Sequence, residues 1–235
     1  MNLPINQILE GDCLEKLKEL PDESIDCCMT SPPYWALRDY GIKGQLGLEP
    51  TFREYITKLC DIFNEVKRVL KKDGTCFVNL GDTYFTKSGS GFANNTNIQD
   101  KSLCNIPARF SIEMQNRSWI LRNIIIWHKP NCMPSSVKDR FTVDFEYLFF
   151  FVKSKKYWFE TQHESYSKST IKDSRFAPGT KKNHYYNGKT EWDVEDLNIK
   201  PQRGGFKQGS SEGRNKRCVW RIQPKPFSEA HFATY

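Results

Sequence analysis

Ile25-Asp26-Cys27-Cys28-Met29-Thr30-Ser31-Pro32-Pro33-Tyr34 is the stretch that decides how this chain reads. A short, mostly apolar run ends at two small hydroxyl residues, two prolines and a tyrosine. A strand that stops in this way leaves a rigid polar loop at its C-terminal edge, where open α/β sheets bind ligands. The prolines fix φ at two successive positions and delete two backbone N–H donors. What remains is a set of carbonyl acceptors, the Ser31 hydroxyl and an aromatic face. That set suits a planar ring bearing an amine.

Working outward, the chain alternates strands and helices. Residues 5–9 suit a short strand. Asp12 can cap a helix through Leu20, with Leu14, Leu17 and Leu20 three residues apart. The clearest helix runs from Thr51 to about Lys72, where Phe52, Tyr55, Ile56, Leu59, Phe63, Val66, Val69 and Leu70 make one apolar stripe. Thr51 and Glu54 have capping-box spacing, and Gly74 is placed to end the helix. Strands are expected over 76–80, 119–127 and 141–152, and a helix from Ile106 or Pro107 to Arg117. Residues 81–104 read as a long loop, and 160–218 hold turn formers with little periodicity.

The eight cysteines form no Cys-x-x-Cys pair and no zinc spacing, so no metal site is expected. Cys27 and Cys28, adjacent in a strand, should face opposite ways, and Cys60 and Cys76 read as small core residues. Free thiols, the absence of a signal pattern and the absence of a bilayer-spanning apolar run suggest a cytoplasmic protein. The net charge of +7 is uneven. Residues 153–226 hold 17 Lys/Arg against 8 Asp/Glu, a net +9, while the remainder nets −2. The basic segment is interleaved with aromatics, Gly, Asn and Ser, a composition suited to phosphates and base edges. Lys181, Lys182, Arg203, Arg214, Lys216 and Arg217 are its candidate DNA contacts. A solvated basic loop is the bland alternative.

Asp12-Cys13-Leu14 with Leu17, Leu20-Pro21-Asp22-Glu23-Ser24-Ile25-Asp26 and Thr30-Ser31-Pro32-Pro33-Tyr34 together resemble the opening of the amino-methylating DNA methyltransferases. Phe77-Val78-Asn79-Leu80-Gly81-Asp82, Asn123 to Asn131, Glu146-Tyr147 to Phe151, and Trp220 to Tyr235 resemble later segments of that family in its circularly permuted order. The resemblance implies an α/β, Rossmann-like S-adenosylmethionine-dependent sheet, incomplete at its C-terminus, with an irregular basic target-recognition region. Residues 1–159 would be the catalytic region, 160–218 the recognition region and 219–235 the start of a cofactor segment. The family's glycine-rich cofactor loop, of the form Phe-x-Gly-x-Gly, does not occur in these 235 residues.

By resemblance, Ser31 and the Pro32 carbonyl accept hydrogen bonds from the target amine, Pro33 holds the loop and Tyr34 stacks on a flipped base. Asp12, Thr30, Asp82, Phe227, His231 and Thr234 are the candidate contacts to S-adenosylmethionine. Asp12 reads equally as a helix cap. Glu49 reads as a contact to the cofactor or only to solvent, with solvent the favoured reading, and Trp35 as either a second aromatic wall or a packing residue. The Ser-Pro-Pro-Tyr form resembles the cytosine-N4 branch more than the adenine-N6 branch. An adenine enzyme and a non-catalytic DNA-binding remnant are the alternatives. A methylator of protein glutamine fits worst, because only ~30 residues precede the loop, too few for another βαβ unit. Duplex DNA is the expected partner, with a second chain supplying the glycine-rich loop and a cognate restriction endonuclease as further expectations.

Overall fold

The structure is a computed structural model describing residues 3–86, 97–165 and 214–225. Its elements in chain order are α1 (Cys13–Lys18), β1 (Ile25–Thr30), α2 (Phe52–Val69), β2 (Leu70–Leu80), α3 (Ile106–Asn116), β3 (Ile120–His128), β4 (Phe145–Val152), β5 (His163–Glu164), β6 (Arg214–Asn215) and β7 (Val219–Arg221).

The apolar stripe folds as α2. Thr51 and Glu54 form a full capping box: the Glu54 N–H donates to Thr51 Oγ1 at 3.2 Å, and the Thr51 N–H donates to the Glu54 carboxylate at 3.3 Å. This helix is the crossover that lets β1 and β2 pair in parallel. The main sheet has the order β1-β2-β4-β3-β7. β4 is antiparallel to both β2 and β3, and β7 is parallel to β3, so four strands share one direction and β4 alone opposes them. The chain divides into two compact units, residues 1–159 with 218–235, and residues 160–217. In the second unit, β5 pairs antiparallel with β6.

One sheet face carries the main core. Cys76, Val78, Leu80, Phe149 and Phe151 pack under Leu59, Phe63 and Val66 of α2 and Phe110 and Met114 of α3. The other face holds a smaller cluster of Ile125, Phe150 and Val152, flanked by Phe77, Tyr157 and Trp220. Cys27 is exposed while Cys28 packs on the main core, as alternation requires. Cys60 and Cys76 are fully buried. Among the described residues no helix is long and apolar enough to cross a membrane.

Four local expectations need correction. Residues 5–9 form no strand, and Ile5 and Ile8 are exposed. α1 stops at Lys18. Gly74 does not end α2, because β2 begins at Leu70 directly after the helix. The register of β1 on β2 jumps from Ile25↔Leu70 to Cys27↔Thr75, so residues 71–74 bulge there. Gly74 is needed for close approach: a Cβ would lie 3.1 Å from the carbonyl oxygens of Asp26 and Lys71. Finally, β4 starts at Phe145, leaving Phe141 exposed in the preceding loop.

Phe110 sits among Phe63, Phe149 and Phe151, with ring centroids 5.4 to 6.0 Å away. Phe110→Ala should cost about 3–5 kcal/mol. Urea unfolding should show a lower midpoint with an unchanged slope. Phe141→Ala, a change at an exposed loop residue, should stay within about 0.5 kcal/mol.

Candidate active site

The Ser31–Tyr34 loop leaves β1 level with the end of β2, because Thr30 pairs with Val78. Asn79 is therefore the next residue alongside it. Asn79 Oδ1 lies 3.0 Å from the Tyr34 hydroxyl and 3.4 Å from Ser31 Oγ, and the two hydroxyls are 3.3 Å apart. The Asn79 amide nitrogen donates to the Tyr147 carbonyl at 3.0 Å, which turns its oxygen toward the loop. From β4, Glu146 Oε2 accepts from the Tyr34 hydroxyl at 2.9 Å. Its other oxygen pairs with Lys129, the residue that follows β3. The Tyr34 ring lies over Gly81, where a Cβ would come 2.7 Å from ring carbon Cε2.

The back of the loop is fastened to α2. The Tyr55 hydroxyl donates to the Pro33 carbonyl at 2.8 Å. Burial, then the Glu49 carboxylate and Tyr34, push the Tyr55 pKa upward, so this donor keeps its proton. Trp35 is buried, edge-on to Phe52 at 6.3 Å, and its indole N–H donates to the Glu49 carbonyl at 2.9 Å. Packing, not an aromatic wall, is its role here. Glu49 is 3% exposed, which overturns its reading as a solvent-facing residue. Its Oε2 accepts from the Gly47 N–H at 2.8 Å, and Oε1 pairs with Lys58 at 3.3 Å. Gly47 has φ +100° and approaches the Tyr34 carbonyl so closely that a Cβ would sit 3.0 Å from it. Its own carbonyl accepts from the Ala36 N–H at 2.8 Å, closing the brace around residues 33–49.

The candidate cofactor contacts divide between described and undescribed residues. Asp12 caps α1, with Oδ1 accepting from the N–H groups of Leu14 and Glu15 at 3.0 and 3.2 Å. Thr30 is the last residue of β1. Asp82 Oδ1 accepts from the N–H groups of Thr83 at 2.9 Å and Ile106 at 3.0 Å. It thereby caps α3, whose own N-cap residue, Asn105, makes no side-chain cap bond. Burial raises the Asp82 pKa, with these backbone donors opposing it. Phe227, His231 and Thr234 lie outside the described residues, as do Lys181, Lys182 and Arg203. Arg214 and Arg217 both pair with Glu164, at 2.9 and 2.7 Å. The backbone N–H of Lys216 donates to the Gln162 carbonyl at 2.9 Å.

Sequence reasoning passed over Asn79, Lys129, Glu146 and Tyr55 as site residues. Glu146 carried a usable signal, as the one charged residue of an apolar strand, and Asn79 a weaker one, as a polar residue that interrupts the apolar run Cys76 to Leu80. Tyr55 carried none, because it sits on the buried stripe of α2 like its neighbours.

The dual placement of Asp82 can be resolved by substitution. Asp82→Asn keeps an acceptor for the α3 cap and removes a desolvated charge, so stability should hold within about 0.5 kcal/mol at neutral pH. Asp82→Ala should cost about 1 kcal/mol through the lost cap. Because burial raises the folded pKa, the ionised form is the penalised one. The advantage of Asp82→Asn over wild type should therefore grow as pH rises through that pKa and vanish below the unfolded value. Chemical denaturation from about pH 3 to pH 8 covers both limbs, since an unfolded Asp titrates at ~3.9.

Residues 25–234 match the family N6_N4_Mtase, described as DNA methylase. The Type II methyltransferase M.Cfr9I of Citrobacter freundii is 37% identical over 97% of this chain and 68% of its own length. M.SmaI of Serratia marcescens is 34% identical over 100% of this chain and 72% of its own. Among solved structures, the PvuII DNA methyltransferase (cytosine-N4-specific) aligns at 24% identity and a TM-score of 0.48, over 70% of this chain and 52% of that one. A family match over most of the chain, together with relatives that it covers by more than two thirds, supports one conclusion: the chain belongs to the S-adenosylmethionine-dependent N6/N4 DNA methylase family.

Proposed function

We propose that this chain performs site-specific methylation of DNA at the exocyclic amine of a flipped base, cytosine N4 in preference to adenine N6. One observation supports the reading above others: a rigid acceptor loop, Ser31–Tyr34, stands at the C-terminal edge of β1, with both of its hydroxyls in reach of one acceptor, Asn79 Oδ1. An exocyclic amine is a poor nucleophile because its lone pair is delocalised into the ring. Two acceptors that take its two N–H groups draw the nitrogen toward tetrahedral geometry and free that pair. The Pro33 carbonyl is committed to Tyr55. Ser31 Oγ and the Pro32 carbonyl form the pair assigned to the amine. The amine is out of reach within a duplex, so the base must leave the stack, with the face of Tyr34 to receive it. A serine at the first position of the loop favours cytosine.

S-adenosylmethionine, when bound, supplies a methyl group already activated on a sulfonium. The carboxylates of Asp12 and Asp82 and the Thr30 hydroxyl are acceptors suited to its cationic amino end and its ribose hydroxyls, with Phe227, His231 and Thr234 as further contacts. With the donor activated, orientation is most of what the protein must contribute. We include two partners in the proposal: a second chain that supplies the family's glycine-rich segment, and a cognate restriction endonuclease. The basic segment, residues 153–226, is assigned to DNA.

In single-turnover methylation, Ser31→Ala should lose about a hundredfold or more in rate, the scale of one transition-state hydrogen bond. Its affinity for duplex should stay near wild type. Tyr34→Ala should also weaken capture of the flipped base, by about 1–3 kcal/mol. Full activity in Ser31→Ala would sink the assignment.

Duplex affinity should fall steeply with salt, with log K changing by about −0.9 per phosphate contact against log salt. Reversing the charges of Lys181 and Lys182 should flatten that slope. Reversing Arg214 and Arg217 should flatten it less, because Glu164 already neutralises part of their charge. A slope of zero in wild type would return the segment to a solvated surface.

A further inference from the structure

We propose that Glu146 is the terminal proton acceptor of a hydrogen-bond chain, Ser31–Tyr34–Glu146, which also fixes Ser31 as an acceptor toward the target amine. The proposal rests on the methyl-transfer reading above and assigns to it a residue that acts through Tyr34.

Ser31 can accept from an amine N–H only if its own hydroxyl hydrogen points elsewhere. Two acceptors are in range, the Tyr34 oxygen at 3.3 Å and Asn79 Oδ1 at 3.4 Å. The Tyr34 oxygen is an acceptor for Ser31 only if Tyr34 donates onward. An ionised carboxylate has no hydrogen to give, so the 2.9 Å contact to Glu146 Oε2 makes Tyr34 the donor there. Asn79 can donate to neither hydroxyl, since its nitrogen is spent on the Tyr147 carbonyl; its oxygen competes for the single Tyr34 hydrogen at 3.0 Å, and the charged carboxylate at 2.9 Å is the stronger acceptor. Glu146 is thereby a one-way terminus. Lys129, bonded to Oε1, supplies the opposite charge that this half-buried carboxylate requires. Lys129 is itself held 4.4 Å from the Trp127 ring centroid.

The same wiring removes the proton that the reaction releases. When the amine nitrogen bonds to the methyl carbon, the old carbon–sulfur pair stays on sulfur and the nitrogen is left with one proton too many. That proton passes to Ser31 Oγ, the Ser31 proton to Tyr34, and the Tyr34 proton to Glu146 Oε2. One N–H and two O–H bonds break, and three O–H bonds form. The positive charge lost at sulfur is matched by the negative charge lost at Glu146. The Glu146 side chain is 20% exposed, enough to return the proton to water. Asn79 cannot take the proton, and Asp82 Oδ1 is held by the Thr83 and Ile106 N–H groups.

Glu146→Gln keeps the size and one acceptor oxygen but cannot accept a proton. Single-turnover methylation should fall about 10²- to 10⁴-fold, the usual range for a lost acid–base group. Duplex affinity should stay within about twofold, and so should the fluorescence rise of 2-aminopurine at the target position. Tyr34→Phe should be similarly slow, and Tyr34→Phe/Glu146→Gln no slower than the worse single variant, because one chain is broken once. A second readout needs no turnover. In protein carrying ¹³Cζ-tyrosine, the Tyr34 resonance, identified by its loss in Tyr34→Phe, should shift in Glu146→Gln and stay in place in the surface control Glu19→Gln. An unmoved resonance overturns the wiring. Wild-type transfer rates in Glu146→Gln, alongside a slow Ser31→Ala, overturn the proton route while leaving the function intact. If Ser31→Ala is also without effect, the methyl-transfer reading fails instead, and the resonance alone decides whether the chain of donors exists.

Discussion

The parallel register of β1 on β2, with Thr30 opposite Val78, is the constraint from which the site follows. It sets Ser31 beside Asn79. The antiparallel register of β4 on β2 then places Leu148 opposite Asn79 and Tyr147 opposite Leu80, so Glu146 comes next, at the loop. Side chains alternate along a strand. A slip of one residue in β2 would turn Asn79 into the core and Val78 out of it. Burial of Cys76, Val78 and Leu80 on the helix-bearing face opposes that slip. The hydrophobic core thus selects which polar groups meet Tyr34, although no core residue touches the chemistry.

The second constraint is the brace behind the loop. Glu49 is a carboxylate in a buried position, which is costly unless it is paired and hydrogen-bonded. Lys58 and the Gly47 N–H supply both conditions. In return Glu49 holds the 36–49 segment against Trp35 and the loop's underside, while Tyr55 ties the Pro33 carbonyl to α2. Proline alone restricts φ, but the placement of the loop on its scaffold comes from these contacts. The Tyr34 hydroxyl can therefore sit in a polar cluster with Ser31, Asn79 and Glu146 without the loop having to reorganise around it.

Legibility in the sequence follows the range of the interaction. α2, its capping box and the Asp12 cap are local, with partners three or four residues apart, and these were readable. The alternation of Cys27 and Cys28 was readable for the same reason. Gly74 was misjudged because a glycine after a helix looks like a terminator, whereas the bulge it serves exists only against β1. Glu49 was misjudged because a charged residue before a proline suggests solvent, and its partner Lys58 lies one helix turn and more into the following element. Arg214 and Arg217 read as candidate DNA contacts from composition alone, whereas Glu164, far earlier in the chain, pairs with both.

The sequence by itself determined the strand-loop unit that ends in Ser31-Pro32-Pro33-Tyr34, the crossover helix, the α/β class and the methylase family, because each is written in adjacent residues or helical spacing. Only the tertiary structure decided what the Tyr34 hydroxyl touches. Asn79 lies 45 residues away along the chain and Glu146 lies 112 away. Neither separation contains distance information, since both depend on the order of strands and on the register of two pairings. Glu146 in the sequence is a polar residue at the start of an apolar strand. It becomes the counterpart of the loop only because β4 enters the sheet against the direction of its neighbours.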